Sequence, residues 1–197
     1  MDRQTLEAYA RAPAAYAAEW EDEQEPPEDL YALLRAHFSP GPTADVGCGS
    51  GRDAAWLHEH GFPASGYDAS PSLIAQARRR HPGIAFAHAA LPALAGVPEA
   101  SFANVLCETV IMHLPRNQIA PAVRRLRAIL ASGGTLHLSW RVTEGADVRD
   151  VAGRLYSAFD ASLAIDALDG AALLHDSEDR SASSGRLVHR LIARAPS

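Results

Sequence analysis

The chain contains no lysine; all 18 of its basic residues are arginine. That absence excludes a Schiff-base or other catalytic lysine, and the phosphate-binding lysine of a P-loop. Cysteine is scarce: Cys48 and Cys107 are the only two, too few for a disulfide framework or a cysteine-built zinc site. Each stands at the end of an expected strand, where a small, partly apolar residue packs well, and no metal site is expected. No apolar run approaches the roughly 18 residues of a membrane span. The opening "MDRQTLEAYARAP" lacks the apolar core of a signal peptide, so a cytoplasmic protein with no membrane partner is expected. Positive charge is not in excess either. The formal net charge is −6, whereas a protein that grips a nucleic-acid backbone needs a basic face.

What is present is enough for one domain of 197 residues, with 47% hydrophobic and 21% charged residues, an ordinary globular composition. The acidic run "EWEDEQEPPEDL" (19–30) reads as a solvated connector broken by Pro26 and Pro27. Residues 1–40 are therefore expected to form a helical segment or lid, and 41–197 the domain proper. From residue 43 short apolar runs alternate with helical patterns. "TADVG", "PASGYD", "IAFAHA", "FANVLCE" and "TLHLSWR" read as strands. "RDAAWLHEH", "SPSLIAQARRR" and "RNQIAPAVRRLRAIL" read as helices, the second with Ser70 as N-cap and Pro71 in its first turn. The third is expected to close at "SGG". A helix near 160–168 and two further strands, "AALLHDS" and "RLVHRLIARA", complete the chain. Strand–helix alternation implies right-handed parallel crossovers. The expected fold is therefore α/β, a single doubly wound Rossmann-like domain. Its seven-stranded, mainly parallel sheet ends in a C-terminal antiparallel hairpin strand.

One stretch carries the chemistry. In "TADVGCGSGRDAAWL" (43–57) a buried strand runs into three alternating glycines and then a helix, the arrangement that lets backbone approach a cofactor closely. Counted from Gly49, "GSGRDA" fits a dinucleotide fingerprint, with Asp68 about 20 residues on. Counted from Asp45, it is D-x-G-x-G-x-G, with Gly47, Gly49 and Gly51, and resembles motif I of the class I S-adenosylmethionine (SAM)-dependent methyltransferases. Three further segments resemble that family in the same order. "GYDAS" ends a strand on an acidic residue, "FANVLCETVIMHLP" is similar to its fourth-strand motif, and "LASGGTLHLS" to the turn before its fifth strand. Together they cover roughly residues 43–140. The stretch "TLEAYARAPAAY" ahead of the glycines resembles the small bacterial methyltransferases that include tellurite-resistance-type enzymes.

The resemblance implies SAM as cofactor, S-adenosylhomocysteine as product and methyl transfer to a small-molecule acceptor. It implies that Asp45, Gly47, Cys48, Gly49, Gly51, Asp68, Ala69, Ala90 and Leu91 hold the cofactor, with Asp68 accepting the ribose hydroxyls. By position, Arg52 opens the helix after the glycines and is expected to meet the methionine carboxylate. Tyr9 and Tyr16, seven apart on a helical segment, are expected to cover the cofactor as a lid. Ala89 departs from the family, which usually has an aspartate there for the adenine amino group; backbone near Ala89 to Leu91, or His88, must then serve. In-line displacement needs alignment above all, and a base only for a protonated acceptor. Glu108, His113 and Arg141 are the candidates on the acceptor side: His113 as a base titrating near its ordinary value of about 6.5, Arg141 as an anion clamp. The runs "RRR" (78–80) and "RRLR" (124–127) read as solvated helix faces. No Asn/Asp-Pro-Pro-Tyr or Pro-Cys sequence points to a nucleic-acid base as acceptor. A monomer or homodimer is expected. Two alternatives stand beside the enzyme: a non-catalytic SAM-binding or regulatory protein of the same fold, and a nicotinamide-dependent oxidoreductase.

Overall fold

Apolar residues two apart on the strands and three or four apart on the helices force a layered sandwich, and the computed structural model, which describes residues 1–197, has that form. Three helices come first: α1 (Arg3–Arg11), α2 (Pro13–Ala18), prolonged by a wide π-type turn over Glu19–Glu23, and α3 (Glu28–His37). Then follow β1 (Thr43–Val46), α4 (Arg52–Glu59), β2 (Ala64–Asp68), α5 (Pro71–Arg80), β3 (Ala85–His88), β4 (Phe102–Cys107), α6 (Arg116–Ile129) and β5 (Leu130–Arg141). A small ribbon, β6 (Val148–Arg149) and β7 (Leu155–Tyr156), precedes α7 (Ser162–Ile165), β8 (Ala172–Arg180) and β9 (Leu187–Arg194).

The seven main strands lie in the order β3-β2-β1-β4-β5-β9-β8. The first five are parallel, and β9 runs antiparallel between β5 and β8. The order reverses at β1, so the carboxyl ends of β1 and β4 open a crevice there. Expected and observed strands agree to within a few residues. The "SGG" segment does not separate α6 from β5, since β5 starts at Leu130 and takes up Ser132–Gly134 as an irregularity in its pairing with β4. The β6–β7 ribbon has no signal in the sequence, since each strand is two residues long, too short to show a period.

Alternation on the strands divides the core in two. Val105 and Cys107 face α6 and α7 in a cluster of 28 buried residues, whereas Leu106 faces α3, α4 and α5 in a cluster of 13. On α6, Ile119, Val123 and Leu126 fall on one stripe and are fully buried, each contributing about 1.5–3 kcal/mol by leaving water. The first 40 residues are not one unit. Leu30, Tyr31 and Leu34 of α3 are built into the smaller core beside Leu57 and Phe86, so only residues 1–23 stand outside the sandwich.

The acidic connector is also less solvated than its composition suggests. Glu21 reaches His81 at 3.1 Å and Arg80 at 3.5 Å, and Asp22 pairs with Arg80 at 2.9 Å. Arg78, expected on a solvated face, donates to the Phe86 carbonyl with two nitrogens. Arg125 likewise clamps the carbonyls of Ala93, Leu94 and Val97. Arginine's planar fork suits such carbonyl clusters, and charge patterning alone does not reveal them.

Candidate active site

At the carboxyl ends of β1, β2, β4 and β5 the chain encloses a cavity of about 840 Å³, its solvent mouth included. The glycine loop forms its floor. Gly47 has φ +82°, and a Cβ there would lie 2.2 Å from Val110 Cγ2, so both conformation and space demand glycine. Gly51 (φ +100°) caps the start of α4 against Phe86 and His81. These are the physical reasons for the glycine spacing: a tight turn off a strand, and close packing of the helix that follows.

Two carboxylates close one end. Asp68 ends β2 and accepts the Gly49 N–H at 3.0 Å and the Ser70 N–H at 2.7 Å, one with each oxygen. Those bonds orient it and leave lone pairs free toward the cavity. Asp45, on β1, is buried, with Oδ2 unpartnered. Burial, first of all, raises the pKa of both groups, and for Asp45 the neighbouring Asp53 and Asp68 raise it further.

The other end holds the acceptor-side candidates. Glu108 follows β4, with Ser139 Oγ donating to Oε2 at 2.5 Å and His137 Nδ1 3.7 Å away. Burial pushes the Glu108 carboxyl up to about 7, against the hydrogen bond from Ser139. His113 is buried, with Nδ1 2.6 Å from the Leu155 carbonyl and Nε2 3.0 Å from the Tyr9 hydroxyl. A carbonyl only accepts, so Nδ1 carries the proton and Nε2 accepts from Tyr9. Burial drops the His113 pKa to about 4. Titration near 6.5 is therefore overturned, because both nitrogens are engaged in a dry setting. Arg141 lines the cavity and touches only the Tyr156 hydroxyl, at 3.4 Å, with its guanidinium 5.7 Å from that ring. It has no carboxylate partner.

Helices α1 and α2 form the roof. Tyr9 and Tyr16 pack edge to face with centroids 5.1 Å apart, and Tyr16 stacks on Trp20 at 5.8 Å. All three line the cavity. The roof is tied down at several points: Asp2 to Arg149 through two 2.9 Å bonds, the Met1 amino group to the Leu91 carbonyl, and Thr5 Oγ1 to the Leu155 N–H.

Of the residues expected to hold a cofactor, Asp45, Gly47, Cys48, Gly49, Asp68, Ala69, Tyr9 and Tyr16 line the cavity. Arg52, Gly51, Ala90 and Leu91 do not. Arg52 turns back on Asp53 (2.9 and 3.1 Å) and lies over the Trp20 ring at 4.7 Å. The Leu91 carbonyl accepts from the Met1 amino group, and His88 bonds the Ala69 carbonyl. Residues that sequence reasoning missed include Trp20, Asp53, Arg154 and Tyr156. Arg154 and Tyr156 lie in a stretch without hydrophobic period, and nothing in the sequence signals that it folds against the site.

Residues 44–134 match a family model described as a methyltransferase domain. Over this stretch, somewhat under half of its length, the chain is similar to that methyltransferase domain. It is 34% identical over 131 residues to the trans-aconitate 2-methyltransferase of Acidovorax sp. (strain JS42), covering 63% of this chain and 47% of that one. The Methylobacterium nodulans enzyme of the same name is 36% identical over 129 residues, with 62% and 47% covered. The chain thus spans about half the length of these curated relatives. In fold it is similar to the Burkholderia thailandensis 1,6-didemethyltoxoflavin-N1-methyltransferase, whose structure holds 1,6-didemethyltoxoflavin and S-adenosylhomocysteine. The TM-score is 0.76 at 23% identity, with 98% of this chain and 88% of that one covered. None of these names supports the tellurite-resistance resemblance. No helix of the chain is long and apolar enough to cross a membrane.

Proposed function

We propose that the chain transfers the methyl group of SAM to a small-molecule acceptor by in-line displacement, releasing S-adenosylhomocysteine. The observation that carries this reading is one cavity in which the glycine loop, Asp45 and Asp68 meet Glu108 and Arg141. The residues fit the cofactor by their chemistry. Asp68 offers lone pairs for ribose hydroxyls, and the unpartnered Oδ2 of Asp45 is an acceptor for a cationic or N–H donor. Carboxylates and the rings of Tyr9, Tyr16 and Tyr156 suit a positively charged group, by charge and by cation–π attraction. When bound, the cofactor supplies an electrophilic methyl on a sulfonium centre.

The chain's own part is alignment and proton handling. Glu108, with a pKa of about 7, is ionised in part at neutral pH and accepts the proton of a protic acceptor; the Ser139 hydroxyl fixes its orientation. His113 acts as a positioning residue, holding the Tyr9 hydroxyl and with it the roof. Residues 1–23 serve as a lid that keeps water from the reacting atoms. Arg141 draws an anionic group of the acceptor. An anionic acceptor is in keeping with the name of the relatives, trans-aconitate 2-methyltransferase, whose acceptor is a carboxylate.

The decisive experiment is incubation with isotope-labelled SAM and pooled metabolites, followed by mass spectrometry. A labelled small molecule is the expected result. SAM consumed by no acceptor, with NAD(H) bound in its stead, would refute the reading.

A further inference from the structure

Beyond the methyl-transfer cavity lies a second concavity, an open groove of about 1,630 Å³ with its solvent included. Its walls are the end of β5, the β6–β7 ribbon and the turn between β8 and β9. Five arginines line it, Arg141, Arg149, Arg154, Arg180 and Arg186, against one acid, Asp150. Two of the five are neutralised: Arg149 by Asp2, and Arg154 by Asp150 at 2.6 Å. Three have no carboxylate partner. Arg141 meets only the Tyr156 hydroxyl, Arg180 only the Gly185 carbonyl, and the Arg186 side chain bonds nothing. Such a cluster is notable on a chain of net charge −6. Like charges brought together on an acidic protein repel one another, and an anion between them relieves the repulsion.

The groove adjoins the cavity, since Arg141, Arg154 and Tyr156 line both. None of its residues falls within 44–134, the part that matches the methyltransferase family model. The feature is thus built from segments outside the cofactor-binding half.

We propose that this groove is an anion subsite for the methyl acceptor, which carries at least two carboxylate or phosphate groups. One faces Arg141 beside the transfer point, and a second is held outside by Arg180 and Arg186. This rests on the reading of the inner cavity as the methyl-transfer site. Guanidinium groups bind either anion through paired, charge-assisted N–H bonds, so the shared chemistry is a small polyanion. A nucleic-acid backbone is disfavoured on a chain whose formal net charge is −6.

The test is calorimetry on the protein loaded with S-adenosylhomocysteine, using citrate, inorganic pyrophosphate and acetate as probes. At least one of the two polyanions is expected to bind ten or more times tighter than acetate, and which one identifies the anion as carboxylate or phosphate. Arg180 and Arg186 are both exposed, so R180Q/R186Q keeps the fold. It should weaken the polyanion about tenfold or more, the effect of losing a charge-assisted bond, while S-adenosylhomocysteine affinity stays within twofold. Equal binding of all three probes, no binding of any, or a double variant as tight as wild type would overturn the subsite. If S-adenosylhomocysteine itself does not bind the wild type, the inner-cavity reading fails instead. The same probes, titrated into the unloaded protein, then judge the groove alone.

Discussion

Replacing Glu108 by glutamine removes a largely, though not fully, buried acid while keeping its shape and an oxygen for Ser139. Burial raises Glu108 from 4.5 to about 7. The nearby groups act in both directions: Ser139 on β5, Arg190 on β9 and Arg52 on α4 lower it, and Asp53 on α4 raises it further. His137 Nδ1 sits 3.7 Å from the carboxylate; burial pushes its pKa down to about 3, so it is neutral. A folded-state pKa above the unfolded one means that the native chain holds the proton longer. The resulting stability is fully present below about 4.5 and is lost as pH rises through about 7. At 1.36 kcal/mol per unit, the loss between pH 5 and pH 8.5 is about 2.5 kcal/mol. Glutamine suffers no such loss. The stability of Glu108→Gln relative to wild type should therefore grow by that amount over the range. With an m-value of about 2 kcal/mol/M, the gap between urea midpoints should widen by about 1.2 M. His113 and His137 impose the opposite slope, since their lowered pKa values give stability that is lost as pH falls from 6.5 toward 4 and 3. Both proteins share that slope, and it cancels in the difference. A gap independent of pH would mean that Glu108 is ionised normally in the folded chain, and the proton-accepting role would lose its basis.

Asp68→Ala should weaken S-adenosylhomocysteine by about 1.5–3 kcal/mol, the range for hydrogen bonds to a charged group. Calorimetry on a variant shown to remain folded checks this, and an unchanged dissociation constant would locate the ribose elsewhere. Tyr9→Phe leaves His113 Nε2 without its donor and should cost about 1–3 kcal/mol of stability, read by urea unfolding. Deleting residues 1–20 removes the roof with its tyrosines and should reduce cofactor affinity and turnover together; both intact would exclude a lid. Arg141→Ala should raise the Michaelis constant of an anionic acceptor more than it lowers turnover, and steady-state kinetics on the identified acceptor will distinguish the two.

Much of this protein is legible in one dimension because its signals are local. Gly47 and Gly51 mark a turn that only glycine permits, Ser70 and Pro71 open a helix by their own hydrogen bonding and ring geometry, and the stripe Ile119–Val123–Leu126 states which face of α6 is covered. Each depends on residues within a few positions of one another, so the succession of strands and helices and the glycine loop follow from the chain itself. Three-dimensional structure alone decided the rest. His113 reads as a titrating base until burial and the Leu155 carbonyl, 42 residues away, hold it neutral. Arg52 is placed by the sequence to meet a carboxylate ligand, yet it is taken by Asp53 beside it. Arg180 and Arg186 are ordinary surface charges until the β8–β9 turn brings them to the same groove as Arg141. Charge, protonation and solvent access depend on neighbours distant in sequence, and those neighbours exist only once the chain has folded.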